Sequence, residues 1–112
     1  MRLEKRHPAP PKHLSAAAKR LWRSLTAEFI IADAARLAIL TAGLEAYDRA
    51  ASAKALLDRD GPTVTDRWDQ QKAHPAASVE RDSRAAWMSA LKQLNLDCLP
   101  ARPGPGRPGG GV

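Results

Sequence analysis

Three tryptophans, one tyrosine and one phenylalanine are all the aromatics in this 112-residue chain, 4% of it. A core so poor in rings must be built from alanine and leucine. Alanine hides little area, and burial is worth only about 25 cal/mol for each Å² removed from water. Although 44% of the residues are apolar, one copy can therefore assemble only a thin core, near the lower limit for a single domain. A small helical protein of this kind is expected to complete its core by self-association. Cysteine is almost absent: Cys98 stands alone, so no intramolecular disulfide can form and a reducing compartment is expected. Long apolar runs are missing too. The most apolar stretch, residues 29–44, is interrupted by Asp33 and Arg36, which argues against a membrane-spanning helix. Met1 leads into charged and proline-rich residues without an apolar core, so no signal peptide is read.

Constellations for catalysis are also lacking. His7, His13, His74 and Cys98 show no metal-ligand spacing. The glycines of the tail lack the lysine-serine or lysine-threonine ending and the strand context of a phosphate-cradling loop. Asp58, Asp60, Asp66 and Asp69 read as surface acids around a helix end in preference to a magnesium site. No activated nucleophile can be named. The expectation is a protein without catalytic residues, metal or cofactor.

What is present is positive charge, and it is unevenly spread. The net charge is +6, and residues 1–23 carry seven basic side chains against Glu4 alone. The stretch 24–97 is close to neutral, and Arg102 and Arg107 add charge after it. Such asymmetry favours an anionic partner, nucleic acid over membrane. Lys19, Arg20 and Arg23 fall within about one helical turn and can project together toward a phosphate backbone. Arg2, Lys5, Arg6 and Lys12 can follow from the segment before them. Phosphate contacts of this type give affinity and position without sequence identity. The alternative is a solvated helix face behind an unstructured leader.

Along the chain, residues 1–14 hold prolines at 8, 10 and 11 among basic residues and are expected to form a flexible arm. Ser15 is an N-cap candidate for a first helix ending near Phe29, with Ala18, Leu21, Trp22, Leu25 and Phe29 on one face. Asp33 is the next N-cap candidate, for a long helix over residues 34–59. In it Leu37, Leu40, Leu44, Tyr47 and Ala51 recur at coiled-coil-like steps. Gly43 inside this helix marks a close crossing, and Gly61 with Pro62 stops it. Residues 63–66 and 71–74 can pair as a minimal hairpin, and Pro75 starts a third helix. Its apolar side is predicted to be Val79, Trp87, Ala90, Leu91 and Leu94, with an end near Asn95. The body is thus expected to span residues 15–97, and residues 98–112, rich in proline, glycine and arginine, are expected to form a disordered tail. Trp22 and Trp87 read as core residues. Trp68, in the polar hairpin tip, either contacts another subunit or partner or folds back onto the first two helices.

This order of elements, over residues 11–96, resembles the small terminase subunits of tailed bacteriophages. The resemblance is carried by Leu21-Trp22, the long alanine- and leucine-rich helix, Gly61-Pro62-Thr63-Val64-Thr65, Lys72-Ala73-His74-Pro75 and Ala86-Trp87. It implies a mainly α fold, three helices with a small β-hairpin before the last, assembled into a ring. It also implies binding to viral double-stranded DNA in the host cytoplasm and regulation of a separate large ATPase and nuclease subunit. The candidate subunit or partner contacts are Trp68, Leu37, Leu40, Leu44 and Tyr47. The loop between Thr65 and Lys72 departs from the tight asparagine-glycine turn of a regular hairpin. The residues alone leave open a basic helical protein that binds RNA or a host regulator without forming a ring.

Overall fold

Ser15 opens the first helix, α1 (Ala16–Glu28), by accepting the Ala18 amide on its hydroxyl at 3.0 Å. The computed structural model describes residues 8–96. Asp33 caps the long second helix, α2 (Ala34–Asp60), in the same way, its carboxylate accepting the Arg36 amide. Gly61 ends α2 at a φ of 85°, a conformation that side-chain-bearing residues rarely adopt. Two three-residue strands follow, β1 (Thr63–Thr65) and β2 (Gln71–Ala73), antiparallel, with Val64 opposite Lys72. Pro75 then starts α3 (Pro75–Leu94), which closes on Asn95 in the left-handed region. The mainly helical fold with a small hairpin before the last helix is as the sequence suggests.

Two different stripes of α2 do two different jobs. Leu40 and Leu44 are fully buried and join Leu14, Ala18, Trp22, Ile31 and Leu94 in one core under α1. The second stripe meets α3 and is made of small residues: Gly43, Ala46 and Ala53 are buried and Ala50 and Leu57 half-buried. On α3 the matching seam is Ala76, Glu80, Ser83, Trp87, Ala90 and Leu94, at alternating four- and three-residue steps. Small side chains let the two helices approach closely. At Gly43 an added Cβ would lie 2.6 Å from the Ala90 Cβ and 3.2 Å from the Trp87 ring. The close crossing expected there is present.

Three expectations need correction. Leu40 and Leu44 are consumed by the protomer's own core, so they cannot serve as contacts for a second copy. Ala51 and Val79 lie off the α2–α3 seam and are exposed, because that seam follows the small residues of α2 and not its leucine stripe. The segment before α1 is no free arm over residues 8–14. Leu14 is buried, the Trp22 indole N–H donates to the Pro8 carbonyl at 2.8 Å, and the His13 ring meets the Glu45 carboxylate at 2.7 Å. Residues 98–112, including Cys98, lie outside the described residues.

Candidate nucleic-acid interface

The interface starts from the two-sidedness of α1. Ala18, Trp22 and Thr26 follow each other at four-residue steps and are buried, with Leu21 and Leu25 half-buried beside them. At 100° per residue this places Lys19, Arg20 and Arg23 on the outward side, where Arg20 and Arg23 are exposed and Lys19 half-buried. Even buried Thr26 leaves nothing unsatisfied, since its hydroxyl donates to the Trp22 carbonyl at 2.8 Å. The only acid of α1, Glu28, stands at its last position. Among the described residues none of the three cations makes an ion pair. Their charge is therefore not neutralised locally and is available to a partner.

Lys12 is exposed in the turn before Leu14. That turn directly precedes α1, so four of the seven candidate cations lie among the described residues. Arg2, Lys5 and Arg6 lie outside the described residues. The ridge is also fixed in place. Ser15 donates from its amide and its hydroxyl to the two carboxylate oxygens of Asp48 on α2, at 2.9 and 2.5 Å. This link between α1 and α2 carried no recognisable motif, because a serine N-cap and a mid-helix aspartate each have ordinary local explanations.

Arg36 behaves differently from the ridge cations. Its guanidinium donates to the carbonyls of Ile30 and Leu94, tying the α1–α2 connection to the C-terminal end of α3. A cation near a helix C-terminus also suits the partial negative charge there. It is a structural clamp that sequence spacing did not single out.

The hairpin tip is the second candidate surface. Asp66 accepts the amides of Trp68 and Gln70 on one carboxylate oxygen, both at 2.9 Å, and the Asp69 amide donates to its carbonyl. This irregular turn holds Trp68 68% exposed, with the Arg67 guanidinium 4.8 Å from its ring centroid. Trp68 therefore does not fold back onto the helices. At the hairpin base the Ala76 amide donates to His74 Nδ1, which leaves the proton on Nε2, facing the Asp60 carboxylate at 2.9 Å. Asp60 is also gripped by Arg59, and the Arg59 hydrogen bond, then that of His74, hold its carboxyl far below the usual range. Asp60 in turn raises the Arg59 guanidinium. Among the described residues no three His, Cys, Asp or Glu side chains converge as a metal site.

The other candidate contacts divide. Leu37 packs against the α1 core, half-buried. Tyr47 is half-buried and stacks edge-on against Trp87, centroids 5.7 Å apart. Two open grooves flank the α2–α3 seam. One is lined by Tyr47, Ala50, Lys54, Glu80, Trp87 and Met88 among others. The other, of about 510 Å³, is lined by Ala53, Leu56, Ala76 and Val79 together with Asp48 and Arg49 among others. Among the described residues no helix is long and apolar enough to cross a membrane. Comparison with protein-family models, curated proteins and solved structures finds no match.

Proposed function

We propose that this chain is a non-catalytic DNA-recognition subunit of the small-terminase kind, which binds viral double-stranded DNA in the host cytoplasm and regulates a large ATPase and nuclease subunit. The observation that carries the DNA-binding part is the outward face of α1, where Lys19, Arg20 and Arg23 stand together without local counter-charges among the described residues. Such a face attracts a phosphate backbone and reads no bases, so binding is general and salt-dependent. The self-associating part is supported by the thin core and by the apolar grooves left open along α2 and α3. In a ring, repetition of one weak basic ridge multiplies its contacts into useful avidity.

The test is binding of the purified chain to a fluorescent duplex, with particle mass measured in parallel. The expected result is salt-sensitive duplex binding by an assembly of several protomers, lost when Lys19, Arg20 and Arg23 are all changed to glutamate. Binding unchanged by that charge reversal, a preference for single-stranded RNA, or a single-protomer mass at high concentration overturns it. The regulatory part is tested by adding the chain to a purified large terminase subunit, whose ATPase rate is expected to change.

A further inference from the structure

We propose that Trp68 at the hairpin tip of one protomer inserts into the groove beside Leu56 and Val79 of a second copy, head to tail. The inference rests on the oligomeric reading above and names the surfaces that make the contact.

The two features are complementary in shape and chemistry. Trp68, Leu56 and Val79 are three of the few large hydrophobics left exposed among the described residues, at 68%, 38% and 47%. One is convex; the other two wall a concave site. An indole offers about 150–250 Å² of burial, and its rigidity means little freedom is lost on docking. The tip is already set, because Asp66 fixes the turn on both sides of Trp68 and Arg67 lies over its ring. The groove is also preformed, walled by two packed helices and floored by Ala53 and Ala76.

Charge assigns the occupant. Asp69 follows Trp68 at the tip with a φ of 63°, and Arg49 lines the groove beside Asp48, whose two carboxylate oxygens are already engaged by Ser15. Asp69 and Arg49 are both exposed, and among the described residues neither has an ion-pair partner. A tip seated in the groove brings opposite charges together beside the apolar contact. Nucleic acid gains little from the tip, because Asp66 and Asp69 balance Arg67 and Lys72 there and leave no net positive charge for phosphate. The tip does not enter its own groove. It stands four ladder positions beyond His74, about 14 Å at 3.4 Å per residue, and remains exposed.

Each copy then offers one knob and one groove at different places. The contact is heterologous, so it recurs with every added copy and closes when the rotation allows. A single insertion is smaller than the roughly 800 Å² per partner of a stable interface, so closure is what makes the assembly persist.

Sedimentation of the full chain over a concentration series tests this, with helicity checked by circular dichroism. Trp68→Ala, Asp69→Arg and Arg49→Glu each keep the helical signal and raise the concentration needed for assembly at least tenfold. Asp69→Arg combined with Arg49→Glu in one chain restores the pair with its signs exchanged, and most of that loss is recovered. If the single variants assemble like the parent, or the double variant recovers nothing, the knob-and-groove contact is wrong while the oligomeric reading stands. A parent chain that sediments as one protomer removes both.

Discussion

The α-carbon of Gly43 faces Ala90 so closely that a methyl group placed on it would stand 2.6 Å from the Ala90 Cβ. Both atoms are anchored to backbone, so neither can rotate away. Gly43→Ala gains about 1 kcal/mol of helix propensity, yet overpacking of a tight contact costs about 1–3 kcal/mol. The helices must separate, and the two effects leave a net destabilisation of up to about 2 kcal/mol. A lower urea midpoint at unchanged slope checks it. Gly43→Ala with Ala90→Gly should recover part of the loss; a Gly43→Ala protein more stable than the parent contradicts the crossing.

Arg36 links the carbonyls of Ile30 and Leu94 through one guanidinium. Arg36→Met keeps much of the stem and removes the donors, leaving a part-buried carbonyl without its partner at a cost of about 1–3 kcal/mol. Arg36→Lys cannot span both acceptors with one planar fork and should restore less than half. Thermal unfolding of the two variants against the parent decides this.

Salt titration gives a sharper measure of the α1 ridge than affinity alone. Each phosphate contact removed from duplex DNA lowers the slope of log K against log salt by about 0.9. Changing Lys19, Arg20 and Arg23 one at a time to alanine should therefore flatten the line by about one unit each. Arg36→Met, whose cation is engaged within the protomer, should leave the slope unchanged in conditions where the variant is folded. Equal flattening by all four substitutions would remove the ridge from DNA binding.

Asp60 is held charged by Arg59 first and His74 second. Its folded carboxyl releases the proton more readily than the unfolded one, so the contact contributes stability above the unfolded value of about 3.9. As pH falls below about 4, the unfolded chain takes up the proton first and that contribution declines. Asp60→Asn should flatten the acid limb of a stability-against-pH curve and leave its neutral limb nearly unchanged in shape. An acid limb identical to the parent's would show that the contact has no energetic role.

The local signals of this chain were legible because its element ends use side chains with one dominant task. Ser15, Asp33, Gly61 and Pro75 all stand where capping and backbone chemistry require them. The basic ridge was legible for the same reason, since the 3.6-residue period opposes Lys19, Arg20 and Arg23 to Ala18 and Trp22. The use of each apolar stripe was not. Leucine spacing on α2 points toward another helix but cannot say whether that helix belongs to the same copy, and Leu40 and Leu44 turned inward to α1. Val79 fits a helical stripe by count, yet the tighter seam through Ala76 and Ser83 left it outside. Proline content marked residues 1–14 as a flexible arm and carried no sign of the Trp22 hydrogen bond that docks the segment from Pro8.

The double grip of Ser15 on Asp48 has a mechanical consequence. These bonds fasten the start of α1 to α2, the longest described helix, and hold that end of α1 against swivelling. A duplex of uneven curvature would then have to be matched by deforming the nucleic acid or by tilting entire protomers.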